Sequence, residues 1–187
     1  FYKRVKVKNL GPLNDEALLA RLNDHDQVLC IVNTRRHASG VFEGLQGEGN
    51  FHLSTLMCPA HRRAKLEEIK QRLSSGKQCR VISTTIMETG IDLDFPVGYR
   101  ALSGLDSINQ AAGRINREIK LHESNIFIFE PNSDFIKRTP SFLKQSAEIT
   151  RMVLRDYPEA PISISAIKLF FEKLYLVSTK VILTSFN

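Results

Sequence analysis

Long apolar runs are missing from this 187-residue sequence. No stretch approaches the roughly 18 consecutive apolar residues of a membrane-spanning helix, which argues against a membrane-embedded chain. Cysteine is scarce. Cys30, Cys58 and Cys79 are odd in number and widely spaced, so neither a CxxC metal site nor a disulfide framework is indicated, and they read as reduced core thiols of a cytoplasmic protein. The five histidines show no ligand spacing, and no metal site is expected. A phosphate-gripping loop is also lacking: Ser75-Gly76-Lys77 has neither the upstream glycine nor the following Ser/Thr of a P-loop. No Asp-Glu-x-Asp/His run supplies a Mg²⁺ ligand. The opening FYKRVKVK is basic and alternating, unlike a secretory signal. A start at Phe1 instead of methionine suggests a piece of a longer polypeptide.

What is present is an ordinary globular composition, 42% hydrophobic and 25% charged, with 26 Lys+Arg against 20 Asp+Glu. The resulting +6 suits a polyanionic partner without identifying one. Short β-branched runs alternate with helical periodicity, the pattern of βαβ units around a mostly parallel sheet. We expect a three-layer α/β/α domain over residues 1–130 and a partly helical accessory segment over 131–187. Strands are predicted at 27–33, 52–57, 79–85, 97–103 and 125–130. Helices are predicted after Asn14 and Thr34, from Pro59 through Leu73, from Asp106 to Glu118, over 141–156 and over 165–176, with a strand-like tail at 177–187.

Three segments carry candidate chemistry. In Gln110-Ala-Ala-Gly113-Arg114-Ile-Asn-Arg117 two arginines three apart are expected on one helical face, with Gly113 leaving room for close approach to an anion. The alternative is solvated surface charge. In the second segment, Ser83, Thr84 and Thr85 leave a buried strand ahead of Gly90-Ile-Asp92. Hydroxyls at the carboxyl end of a parallel strand can bind phosphate oxygens, and Asp92 can accept hydrogen bonds from a ribose. A capped strand end with a glycine turn reads equally well. The third segment, Asn33-Thr34-Arg35, opens a helix whose amides can hold a nucleic-acid phosphate or simply be capped. Arg62, in Pro59-Ala-His61-Arg62-Arg63, places base where helices favour acid. The paired arginines are expected to face the same cleft as the hydroxyl-rich mouth of the sheet.

Taken in order, these strand-end segments resemble motifs IV, V and VI of superfamily 2 helicases, in the second RecA-like domain. Within that group Ile31-Val-Asn33-Thr34-Arg35, the run His52-Leu-Ser-Thr-Leu-Met-Cys-Pro59-Ala-His61-Arg62, and Glu88-Thr-Gly90-Ile-Asp92-Leu-Asp94-Phe-Pro96 are similar to the CRISPR-associated helicase-nuclease of type I interference. The resemblance aligns Gln110, Arg114 and Arg117 with Q-x-x-G-R-x-x-R, whose arginines are fingers. It puts Gly90 and Asp92 on the nucleotide side and Thr84 on the nucleic-acid side. Ala111 and Thr85 stand where the motifs often carry arginine and glutamine. The resemblance further implies ATP with Mg²⁺, held mainly by a first RecA-like domain, and an HD-type nuclease domain in the same polypeptide. It also implies 3′-to-5′ movement on single-stranded DNA after recruitment by an RNA-guided surveillance complex. Without the phosphate cradle this segment alone is expected to be inactive. Another superfamily 2 DNA or RNA helicase, or a catalytically silent RecA-like docking module, are the rival readings.

Overall fold

The computed structural model describes residues 5–54, 56–84, 93–119, 121–131 and 140–184, with side chains of the last helix described as far as Val177. Among these residues six strands form one sheet: β1 (Val5–Pro12), β2 (Gln27–Ile31), β3 (Asn50–Leu53), β4 (Cys79–Ser83), β5 (Val97–Ala101) and β6 (Ser124–Glu130). Their order is β1-β6-β5-β2-β4-β3, and every neighbouring pair is parallel. All six strands therefore end at one edge of the sheet, the carboxyl edge.

Helices α1 (Asp15–Asn23) and α2 (Arg35–Glu43) cover one face. Helices α3 (Pro59–Ser74), α4 (Leu105–Ala112), α5 (Ser141–Asp156) and α6 (Ile164–Thr184) cover the other. Strand alternation sorts the side chains: Val28 and Cys30 of β2 pack with Leu18, Leu22, Ala38 and Val41. Leu29 and Ile31 point the opposite way, into the cluster that holds Ile69, Ile108 and Phe170. Each such fully buried Leu or Ile contributes about 1.5–3 kcal/mol. Local signals set the helix starts. Asn14 accepts a hydrogen bond from the Ala17 amide at 2.8 Å, and Thr34 accepts one from the His37 amide at 3.2 Å. Pro59 opens α3, where its missing N–H costs nothing. On α5 the buried positions Ser146, Ile149, Thr150, Val153 and Leu154 follow the helical repeat and join the same core as the sheet.

Several expectations need correction. The strand predicted at 52–57 lies at Asn50–Leu53; beyond it the Met57 amide donates to the Ser54 carbonyl, so the chain is already turning. The strand-like tail is helical through Thr184, because the helix begun at Ile164 carries on through β-branched residues whose intrinsic penalty is only a few tenths of a kcal/mol each. Cys30 and Cys79 are core thiols, pushed up to about 12 by burial, but Cys58 is exposed at the start of α3. The helix predicted to reach Glu118 stops at Ala112.

Candidate functional site

At the carboxyl edge, the neighbouring strands β2, β4 and β3 bring three of the predicted segments side by side. Adjacent strands are about 4.8 Å apart, so these ends form one strip roughly 10 Å wide. β2 delivers Asn33, Thr34 and the exposed Arg35 and Arg36; β4 delivers Ser83 and the buried Thr84; β3 leads to Pro59, His61, the half-buried Arg62 and Arg63. Helices α2 and α3 have no acid in their first turn, whereas α1 begins with Asp15 and Glu16 and α4 carries Asp106. Uncompensated helix N-termini flanked by arginine are electropositive, and here two of them share one edge. His37 adds little charge, since burial pulls its pKa down even though its Nε2 lies 3.0 Å from the Asp15 carboxylate.

Not every predicted contact points outward. The Thr34 hydroxyl is engaged as the helix cap. The Ser83 hydroxyl donates to the carbonyls of Leu53, at 3.3 Å, and Thr84, at 3.1 Å. The Asn33 amide donates to the Leu102 carbonyl at 2.8 Å, and its oxygen accepts from the Arg100 guanidinium at 2.7 Å. Asn33 thereby bridges β2 and β5, whose onward connections leave toward opposite sides of the sheet, the topological switch point where ligands of such folds usually bind. Thr85, Gly90 and Asp92 lie outside the described residues.

The arginines are elsewhere. Helix α4 starts at the carboxyl edge and runs back about 12 Å, so the residues after it lie at the amino edge. Gly113 is its C-cap, and the Arg114 and Ile115 amides donate to the carbonyls of Ala111 and Ala112 in a tightening last turn. Arg114 and Arg117 therefore sit in the loop that follows the helix, not on a helical face, and not beside the hydroxyl-rich mouth. The exposed Gln110 is on the last turn of α4 itself.

This loop has a defined shape. Phe95 donates its amide to the Arg114 carbonyl at 3.0 Å and accepts from the Asn116 amide at 2.9 Å, forming an isolated parallel bridge with Ile115. Asn116 adopts φ of 47°, a left-handed conformation that asparagine tolerates better than most residues. Its side chain donates to the Leu121 carbonyl at 2.6 Å and accepts the Leu121 amide at 3.0 Å. Asp94 takes hydrogen bonds from the amides of Arg117, at 2.6 Å, and Glu118, at 3.2 Å. Arg114 is half-buried and Arg117 exposed. An open cavity of about 450 Å³ adjoins the loop, lined in part by Gln27, Lys70, Asp94 and Asn116.

Two organising residues were not singled out from the sequence. Arg100, fully buried, donates to Asn33, to the Ala101 carbonyl at 2.9 Å and to the Ser107 hydroxyl at 2.8 Å. It ties the start of α4 to the end of β2. A charge inside the apolar run Val97-Gly-Tyr-Arg100-Ala-Leu was the available signal. Asp94 had a weaker one, an acid following Gly90-Ile-Asp92. Among the described residues no cluster of His, Cys, Asp or Glu could hold a metal, and no helix is long and apolar enough to cross a membrane.

Comparison with known proteins adds the following. The chain is 29% identical over 154 residues to the CRISPR-associated nuclease/helicase Cas3 of Methanothermobacter thermautotrophicus, covering 79% of this chain and 18% of that protein, so it spans about a fifth of its relative. The fold matches that of T. fusca Cas3 with ADP at a TM-score of 0.73 and 20% identity, over 92% of this chain and 24% of the other. It also matches a chain of a CRISPR RNA-guided surveillance complex in a pre-nicking state, at a TM-score of 0.67 and 18% identity, over 91% and 25%. The family described as CRISPR-associated nuclease/helicase Cas3, C-terminal, matches residues 24–120, just over half of the sequence. With the all-parallel RecA-like sheet and its order in place, the chain belongs to that Cas3 family, as the second RecA-like domain of a superfamily 2 helicase.

Proposed function

We propose that this domain is the moving half of an ATP-driven translocase on single-stranded DNA in type I CRISPR interference. In this reading the carboxyl-edge strip grips the DNA backbone and the amino-edge arginine loop reaches the nucleotide. The observation that carries it is the division of labour across the sheet. Basic, acid-free helix starts gather at one edge, and an arginine-bearing loop fixed by backbone hydrogen bonds is held at the other, roughly 13 Å away along a five-residue strand.

ATP with Mg²⁺ would be held mainly by a first RecA-like domain of the same polypeptide, since this chain has no P-loop. The residues here fit the complementary role. Arg114 and Arg117 present guanidiniums from a shaped loop, suited to the charge that builds on a transferring phosphoryl group. When bound, the nucleotide supplies the free energy of phosphoryl transfer. Gln110 and Gly113 flank the fingers, and Gly90 and Asp92 belong to the nucleotide side. Across the sheet, Arg35, Arg62 and the amides opening α2 and α3 hold DNA phosphates without reading sequence. Thr84, Thr85, Asn33 and Thr34 shape the strip, the last two largely through the helix and strand ends they fix. Solved relatives described as Cas3 with ATP, ADP and AMPPNP support the nucleotide side of the reading. The surveillance-complex relative supports recruitment by an RNA-guided assembly. An HD nuclease domain in the same polypeptide is in keeping with a relative described as a nuclease/helicase, of which this chain spans 18%.

The test is complementation. Mixed with a first RecA-like domain of a Cas3-type helicase, the chain should give single-stranded-DNA-stimulated ATP hydrolysis, while alone it should give none. A docking module would bind the same partner and leave hydrolysis at background.

A further inference from the structure

The end of β4 lies at the carboxyl edge and Asp94, ten residues beyond Thr84, lies at the amino edge. This stretch of chain therefore begins in the DNA-facing strip and finishes against the arginine loop. Its far end is fastened there by hydrogen bonds: Phe95 donates its amide to the Arg114 carbonyl and accepts from the Asn116 amide, and the carboxylate of Asp94 accepts two more. Its two oxygens each take one amide, Arg117 on Oδ1 and Glu118 on Oδ2, so the carboxylate fixes the backbone of the outer arginine in both position and orientation.

We propose that Asp94 is the positioning residue for Arg117. The carboxylate holds the loop after α4, while α4 is anchored separately at its start by Arg100 and Ser107. The inference rests on the finger reading of Arg117. Asp94→Asn keeps the shape but leaves one acceptor oxygen in place of two and sets an NH2 donor against the other amide, so one bond of the clamp is lost and the other becomes a weaker, neutral one.

Two measurements test this. In the isolated chain, hydrogen exchange at the Arg117 and Glu118 amides should accelerate by about tenfold or more in Asp94→Asn, with the amides of β2 and β4 unchanged. In the reconstituted two-domain helicase, kcat with single-stranded DNA should fall by about tenfold or more while KM for ATP stays within about threefold. Affinity for ADP–aluminium fluoride should fall in parallel with kcat, and affinity for AMPPNP should not. Unchanged exchange or unchanged kcat overturns the proposal, as does a loss confined to KM or to thermal stability. If Asp94→Asn does not fold, Asp94→Glu, which keeps the charge but shifts both oxygens, is read by the same criteria. Arg117→Ala separates the two claims: full activity in that variant removes the finger reading itself, whereas inactivity there with normal activity in Asp94→Asn removes only the positioning role.

Discussion

Replacing Arg100 by methionine probes how the two ends of the domain are tied together. The guanidinium is fully buried and donates at 2.7 Å to Asn33, at 2.9 Å to the Ala101 carbonyl and at 2.8 Å to the Ser107 hydroxyl. Methionine fills much of the volume but strands the acceptors. The Ser107 hydroxyl can rotate to another partner, whereas the Asn33 oxygen is held by the bond its own amide makes to the Leu102 carbonyl and the Ala101 carbonyl belongs to β5. Two stranded acceptors at about 1–3 kcal/mol each give roughly 2–6 kcal/mol. Methionine adds only about one buried methyl-sized group beyond the arginine stem it replaces, which offsets about 1 kcal/mol and leaves a net loss of roughly 1–5 kcal/mol. Removing a buried charge can be neutral where its partners are replaced too, but here they remain. For a domain of this size the loss corresponds to a fall in Tm of about 2–20 °C, measurable by circular dichroism, with the free-energy loss itself read by urea titration. Asn33→Ala strands part of the same network, so the double variant should cost less than the sum of the singles. A loss below about 1 kcal/mol, or strict additivity with Asn33→Ala, would refute the assignment of Arg100 as the tie.

Two further outcomes are expected. His25, His37 and His52 are all held below the ordinary 6.5, burial being the first cause at each. The unfolded chain takes up protons there before the native state does. Stability is thus complete above 6.5 and lost as pH falls through that value toward the lowered native ones. Urea midpoints between about pH 7 and about pH 5 should decline less steeply in His37→Asn, and an unchanged slope would show that His37 is not involved. Arg151 grips Glu130 with two parallel bonds of 2.9 and 2.8 Å and also reaches Glu148, which holds its guanidinium firmly protonated. A double-mutant cycle on Arg151 and Glu130 should give a coupling of about 1 kcal/mol, near the upper end for a partly exposed pair; zero coupling would mean α5 is held by its apolar stripe alone.

The core was legible in the sequence because its signals are local. Val28-Leu-Cys-Ile is apolar at every position, as a strand buried on both faces must be, Asn14 and Thr34 mark helix starts through bonds made within four residues, and Pro59 marks one through its missing N–H. The arginine loop was misread because its determinant is not local. Gln110 through Arg117 keeps helical spacing, and only the bridge from Phe95, some twenty residues earlier in the chain, together with the Asp94 carboxylate, turns the chain out at Gly113. The same holds for Asn33, whose polarity at a strand end suggested a ligand. Its amide is largely occupied by Arg100 and Leu102, a partnership that becomes visible only once β2 and β5 are neighbours. The relation between the two candidate surfaces was likewise beyond the sequence. That they occupy opposite edges follows from the direction of α4, which periodicity alone does not give.

The central claim is that the loop after α4 completes an ATP site in trans to the phosphate cradle. Single-stranded-DNA-stimulated ATP turnover by the reconstituted helicase carrying Arg117→Ala tests it most directly. A fall of roughly 10³-fold or more with DNA binding retained is expected. Turnover equal to that of the unaltered protein would contradict it.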